Sequence, residues 1–386
     1  MAHYNNYKRS LFYLELPVTD LRVRKLAQIL VDHSIRCQPG DRVLIEATTL
    51  AEPLVRELYA LILERGGHPH PVLAMTDQDE IFMAHAGDAQ LDFAPTFQKL
   101  AYETFEARIR IGSMANTRAM SEVDPNRLTR RQKALAQILE TQMRRGAEGS
   151  LKWVTTLFPT AAYAMEAEMS YSSYEDFVYR ACHADEGTPD PAAYWRGVED
   201  QQRRIIDRLQ GHDQVSLRGP NVDLKLSIKG RTFLNSAGHH NMPDGEVYTG
   251  PVEASVNGWV HYTYPAVFQG KVVEGVTLSF ENGKVVSASA DKYQDLLLNM
   301  LEIDSGARYL GEFAIGTNFE IDRSTKNILF DEKIGGSFHT ALGAGYPETG
   351  SKNKSQIHWD MICDMKIDSE IRVDSEVLYK NGKFLT

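Results

Sequence analysis

The residues able to do chemistry crowd toward the C-terminal end of the chain. Residues 334–346 read Ile-Gly-Gly-Ser-Phe-His-Thr-Ala-Leu-Gly-Ala-Gly-Tyr, and after a polar loop residues 355–360 read Ser-Gln-Ile-His-Trp-Asp. On a strand, side chains two apart share a face, so His358 and Asp360 point one way while Ile357 and Trp359 pack behind them. His339 precedes them across a Gly-rich connection that can fold back, and Tyr346 follows His339 by seven residues. One pocket could then hold two imidazoles, a carboxylate and a phenol, which is a metal site with an acid beside it. The same residues also read as two half-buried histidines and a turn aspartate.

Two glutamates bear on that choice. Glu246 follows the turn Pro243-Asp244-Gly245, with Gly250-Pro251 beyond it, so backbone holds the acid in place. Glu312 lies among Leu310, Gly311, Phe313 and Ala314, and a carboxylate buried in such company is costly unless it meets a cation. Taken singly each glutamate reads as a salt-bridge partner; with His339, His358 and Asp360 they make a ligand set. The three cysteines, Cys37, Cys182 and Cys363, lie far apart with no Cys-x-x-Cys, which excludes a thiolate zinc cluster and suits a reducing compartment. Any metal must be held by His and carboxylates.

The elements that position these groups fall into two halves. Asp20 caps a helix carrying Leu26, Ile29, Leu30 and His33, and the turn Pro39-Gly40-Asp41 leads into an apolar strand over 42–46. A helix over 51–65 presents Leu54, Leu58 and Leu61 on one face, Gly66-Gly67 ends it, and a strand returns over 68–75. That beta-alpha-beta unit predicts a parallel sheet, extended by strands over 107–112 and 153–158. No Gly-x-Gly-x-x-Gly follows any of these strands, so the Rossmann-like alternation carries no dinucleotide site. Asp124-Pro125 opens a long helix through about Arg145, whose basic residues read as a solvated face. The Met-, Tyr- and Ala-rich residues 159–176 read as core or interface, and Pro191 opens a last helix with Val198, Ile205 and Leu209 on one stripe.

From Gly211 the period changes to two. Leu224, Leu226 and Ile228 alternate with polar neighbours, and Asn282-Gly283 and Asn381-Gly382 stand between strand-like flanks as hairpin turns. The fold class is therefore α/β: a Rossmann-like parallel-sheet N-terminal domain over 1–212, and an α+β, largely antiparallel, metal-binding C-terminal domain over 213–386.

A chain of 386 residues, 42% hydrophobic and 24% charged, is long enough for two domains with real cores. Its net charge of -10 argues against nucleic-acid and anionic-membrane partners, which would meet a repulsive field. No apolar run reaches the length of a membrane span and residues 1–20 show no apolar signal core, so the expected location is cytoplasmic. The sequon-like Asn353-Lys354-Ser355 is read as chance.

The segments around Glu246, Glu312, Asp331-Glu332-Lys333, His339, Tyr346 and His358-Trp359-Asp360 resemble the M29 family of metallo-aminopeptidases, the aminopeptidase T and S group. Residues 153–170 resemble it too, so the likeness runs through nearly the whole chain. The resemblance implies two divalent metal ions, Zn, Co or Mn, bound by Glu246, Glu312, His339, His358 and Asp360, with Tyr346 as the catalytic tyrosine. It implies hydrolysis of the first residue from peptides with a free N-terminus, by a hydroxide that two ions about 3.5–4 Å apart activate, and a homodimer. Glu332 is expected to orient His339 or shuttle a proton, or else to pair with Lys333. The loop between Tyr346 and His358 is shorter than the family pattern, which bears on substrate preference. The alternatives are a mononuclear iron(II) ring-cleaving dioxygenase of the dihydroxypyridine type, using His339, His358 and Asp360, and a non-catalytic protein that keeps the fold. His239 and His240, near Glu246 in sequence, are read as surface or structural ahead of lining the cleft, and His68, His70, His85, His183, His212 and His261 have no expected role.

Overall fold

A computed structural model of the chain describes residues 20–268 and 270–385. The expectation that no signal core lies in residues 1–20 therefore falls, but for Asp20, outside the described residues. Asp20 caps α1 (Leu21–Gln28), its carboxylate accepting from Arg22 N, and the helix continues as a π-helical stretch to Ser34. Strand β1 (Arg42–Thr48), helix α2 (Glu52–Glu64) and strand β2 (His68–Ala74) form the expected unit, with β1 and β2 parallel. Leu54, Leu58 and Leu61 face inward, and Gly66 ends α2 at φ +79°.

Three short helices that the sequence pattern did not show come next: α3 (Gln78–His85), α4 (Asp88–Leu91) and α5 (Thr96–Thr104). After β3 (Ala107–Gly112), the long α6 (Pro125–Ala147) packs over α5, and its basic residues are not merely a solvated face. Arg127 donates to the carbonyls of Met83 and Ala86, Arg131 to that of Phe93, and the buried Arg145 to those of Tyr102 and Ser150. The cations are pins that satisfy the ends of neighbouring segments. Strand β4 (Lys152–Leu157) pairs parallel with β3, then α7 (Ala161–Glu166), α8 (Tyr171–Ala181) and α9 (Pro191–Asp207) follow. Residues 159–176 are core in part: Tyr163 and Tyr174, with Phe177, pack against Ile321, Phe330 and Ile334 from the far end of the chain, while Met165 and Tyr171 stay exposed.

The rest is largely antiparallel, as its period-two pattern predicts, with the short strand Asn241–Met242 the exception. Strands β5 (Gln214–Gly219), β6 (Val222–Ser227), β7 (Leu234–Ser236), β8 (Asn241–Met242), β9 (Glu246–Thr249) and β10 (Asn257–His261) lead to the short hairpin β11 (Ala266–Phe268) and β12 (Lys271–Val273). Then come β13 (Thr277–Glu281), β14 (Lys284–Ser289), α10 (Gln294–Leu301), β15 (Leu310–Gly316), α11 (Ile328–Asp331), β16 (Ser337–Gly343), β17 (His358–Asp364), β18 (Glu370–Val373), β19 (Glu376–Lys380) and β20 (Lys383–Phe384). Asn282-Gly283 and Asn381-Gly382 are two-residue turns with positive φ at both positions, the geometry that suits the twist of the flanking strands.

An eight-stranded sheet, in the order β14-β13-β10-β6-β5-β18-β19-β20, packs against a five-stranded sheet in the order β17-β16-β15-β9-β7. Val215, Leu217, Leu224 and Leu226 of the first meet Phe313, Ile315, Phe338, Trp359 and Met361 of the second in one core. The parallel sheet runs β2-β1-β3-β4-β8, so between β7 and β9 of the antiparallel sheet the chain crosses over and Asn241–Met242 adds a parallel edge strand to it. No described helix is long and apolar enough to cross a membrane.

Candidate metal centre

The five-stranded sheet has one face in the sandwich core, so alternation puts every second residue on the other face. Reading across paired positions, that other face carries His358 opposite Gly343, Asp360 opposite Ala341, and Ala341 opposite Glu312. The next rows are Ile362, His339, Ala314 and Tyr248, then Gly316 beside Glu246. Each polar group is thus flanked by Gly or Ala, and the small residues leave room between carboxylates and imidazoles. The Gly-rich connection after His339 folds back as expected, since β16 and β17 pair antiparallel, and strand register then sets His339 in the cluster.

Glu312 reaches this face by a defect in the ladder. Leu310 pairs with Leu342 and points into the core, and Glu312, two residues on, would point the same way in a regular strand. A bulge at Gly311 sets Glu312 opposite Ala341 instead and turns its carboxylate outward. Only glycine fits there: a Cβ on Gly311 would lie 2.1 Å from the Ala344 carbonyl oxygen and 2.5 Å from that of Gly343.

The predicted groups converge. His339 Nε2 lies 3.3 Å from Glu246 Oε2 and 3.8 Å from Glu312 Oε1, and His358 Nε2 lies 3.2 Å from Glu312 Oε2 and 3.5 Å from Asp360 Oδ1. Among the described residues three overlapping groups have the reach of a metal ion: Glu246-Glu312-His339, Glu312-His358-Asp360 and Glu332-His339-Asp360. The Nδ1–H of His358 donates to the Ala344 carbonyl at 2.7 Å, which leaves Nε2 free to face the carboxylates. Tyr346, 37% exposed, stands at the rim with its ring 5.1 Å from that of His358 and 5.7 Å from Tyr248.

Two charged groups that the sequence reading underrated complete the site. Lys333, 1% exposed, puts Nζ 2.5 Å from Glu246 Oε1, 2.5 Å from Glu332 Oε1 and 3.7 Å from Asp244 Oδ1. Asp244 is fully buried and accepts from the backbone N–H groups of Gly238 and Gly245 and from Ser236 Oγ. The signal for Lys333 was available, since a lysine beside two acids in an apolar segment must find them when buried.

Burial drives the protonation of the cluster, and its members then exchange protons. Desolvation, only partly offset by Lys333, lifts Glu246 to about 8. In Asp360 desolvation is outweighed by His358, and the carboxyl is held at about 2. His358 rises to about 12 and His339 to about 9, because neighbouring carboxylates outweigh the burial that would discharge them. The imidazoles thus hold protons that a bound cation would displace. Tyr346 is pushed above its usual value by burial first and then by Glu312, Asp360 and Glu332, so its phenol stays protonated.

These residues fit a metal. Glu246 Oε2, Asp360 Oδ1 and His339 Nδ1 are buried without a hydrogen-bond partner, a costly condition that a cation relieves for the two carboxylates. Carboxylate oxygens together with two imidazoles are donors that suit a divalent ion. The other described histidines lie outside the cluster: His239 stacks on His33 and meets Glu199, His240 stacks on Trp153, His183 stacks on Tyr194, and His212 pairs with Asp374.

The thermophilic metalloprotease (M29) family model matches residues 19–384, and the chain belongs to that family. It is 27% identical to aminopeptidase 2 of Geobacillus stearothermophilus over 93% of this chain and 97% of that protein. It is 25% identical to aminopeptidase T of Thermus thermophilus, over 93% and 95%. The solved structure of wild-type AmpT from Thermus thermophilus superposes with a TM-score of 0.82 at 22% identity, covering 95% of this chain and 99% of that one. A 2,5-dihydroxypyridine dioxygenase from Pseudomonas putida KT2440 gives a TM-score of 0.55 at 12% identity, over 94% and 96%. Both structural likenesses are of fold alone, and the dioxygenase alternative finds no other footing.

Proposed function

We propose that the protein is a metallo-aminopeptidase that hydrolyses the first residue from peptides with a free N-terminus. Membership of the metalloprotease family and the names of its relatives support this, and the carrying observation is the cluster itself. We assign two divalent ions, Zn, Co or Mn, to Glu246, Glu312, His339, His358 and Asp360. Such ions, when bound, polarise the peptide carbonyl and make water nucleophilic near neutral pH.

The chain's own residues do the rest. Glu312 lies between the two histidines, within 3.8 Å of His339 Nε2 and 3.2 Å of His358 Nε2, and would offer carboxylate oxygen to an ion held beside either imidazole. The carbonyl of Ala344 fixes the His358 ring, so that Nε2 faces inward and would offer its lone pair once a cation displaced its proton. Tyr346 keeps its proton across the working range and sits at the open rim, where its hydroxyl can donate to the oxygen that gains charge when the carbonyl is attacked. The acidic wall of the site attracts a protonated N-terminal amine, which supports cleavage from that end.

We further propose a homodimer in the cytoplasm, divided near residue 212. The exposed Phe93, Phe97 and Leu100 supply apolar surface for a second copy, and the three buried, unpaired cysteines suit a reducing compartment. The test of function is removal of metal with a chelator followed by re-addition, with release of the first residue measured on one peptide in free and N-acetylated forms. Metal-dependent release from the free form alone is expected. Equal cleavage of both forms, or release that ignores the chelator, would reject the reading.

A further inference from the structure

The ammonium of Lys333 sits inside the cluster where a metal centre would be expected to exclude a competing cation. It takes one oxygen of Glu246, at 2.5 Å, while the other oxygen of the same carboxylate stays without a hydrogen-bond partner and lies 3.3 Å from His339 Nε2. It takes Oε1 of Glu332 at the same distance, although Glu332 stands within ligand reach of His339 and Asp360. The lysine is anchored from its backbone. Its N–H donates to Phe330 O and its carbonyl accepts from Asn318 N, while the Asn318 side chain donates to the carbonyls of Asp244 and Ala181. The next residue presses on β15, where a Cβ at Gly316 would lie 2.2 Å from the Ile334 carbonyl oxygen. The backbone that carries the lysine is therefore fixed against the sheet, and the carboxylates hold its ammonium.

We propose that Lys333 is a positioning residue that withholds carboxylate oxygens from the metals: it limits Glu246 to one ligand oxygen and keeps Glu332 out of the coordination shell. Four carboxylates, Glu246, Glu312, Glu332 and Asp360, would otherwise close around the ions. A site saturated with carboxylate binds its metal well and leaves no position for substrate, whereas catalytic sites keep one open. Lys333 holds that position open, at the expense of affinity. The assignment rests on the two-metal reading above.

The test is Lys333→Met, which keeps the length of the stem and removes the charge. Three readouts apply: ions per chain, affinity by chelator competition, and the visible absorption of the Co(II)-loaded protein, which weakens as coordination number rises. The variant is expected to keep its ions and bind them about tenfold more tightly or better. Its Co(II) absorption weakens, and kcat falls by about 10–100-fold. Lys333→Arg, which restores a cation, brings the Co(II) spectrum back toward wild type. A Lys333→Met protein that sheds ions, or one with wild-type affinity and spectrum, overturns the proposal. Should that variant not fold, Glu332→Gln decides: unchanged affinity and spectrum support the withholding role, and weakened binding makes Glu332 a ligand and overturns it. A wild-type chain that loads no metal would overturn the two-metal reading as well, whereas the variant results bear on Lys333 alone.

Discussion

Gly311→Ala isolates the ladder defect that turns Glu312 toward the site. The new methyl carbon would stand 2.1 Å from one backbone carbonyl oxygen and 2.5 Å from another, both in the segment leading out of β16. Neither contact can be relieved by a rotamer change, so the bulge must open or the strands must part. Overpacking of this kind costs about 1–3 kcal/mol. The midpoint of thermal unfolding should fall by roughly 2–4 °C per kcal/mol, or somewhat less in a chain of this length. The larger effect is on the carboxylate. If the bulge flattens, Glu312 is carried toward the side of Leu310, away from His339 and His358, and the cluster loses the acid that lies within reach of both imidazoles. Metal content and chelator competition would read this directly, with circular dichroism as the control for folding. The expected variant is folded, slightly less stable and poor in metal. A protein with full metal occupancy and wild-type turnover would refute the claim that the bulge places Glu312.

Other expectations follow from single sites. Tyr346→Phe should lower kcat by roughly 10²–10³ while KM and bound metal hold, because removing an oxyanion donor costs about 2.7–4 kcal/mol in the transition state alone; turnover within about threefold of wild type would defeat that role. Gly197→Ala, exposed in the middle of α9 with nothing within 4 Å of the added carbon, should stabilise by about 0.5–1 kcal/mol in chemical denaturation. His33 is buried with its Nε2–H donating to the Ala237 carbonyl, and desolvation depresses it to about 4. Because the unfolded chain takes up that proton first, stability is full above about pH 6.5 and is lost as pH falls toward 4, by up to about 3 kcal/mol for this group. His183, lowered to about 4 by burial, adds to the same slope. Denaturation of wild type and His33→Gln across pH 4–7 would show the variant's slope to be shallower if the account is right.

Much of the site was legible because strand alternation is a rigid rule. His358 and Asp360 share a face with Ile357 and Trp359 packed behind, as their spacing alone requires. The facing of Glu312 was not legible from alternation, since a bulge breaks the rule at Gly311 and no local pattern announces it. Lys333 was visible as a charge beside Glu332, but its contact with Glu246 spans 87 positions of sequence and is set by the crossing of β15 with the 333–334 segment. In the N-terminal half the parallel unit followed from its apolar runs and Gly-Gly stop. Helices α3 to α5 did not, because α3 buries no residue and so carries no stripe. The arginines of α6 read as solvated because their partners are backbone carbonyls, which sequence does not display.

The most direct test of the central claim is metal stoichiometry in wild type and Glu312→Gln, by elemental analysis after dialysis against a trace of the divalent ion. The amide keeps the shape of the carboxylate, so the fold should survive in circular dichroism. Two ions per wild-type chain, falling to one or fewer in the variant together with loss of peptide hydrolysis, is the predicted result. Two ions retained by Glu312→Gln, or none bound by wild type, would contradict a metal centre built on this carboxylate.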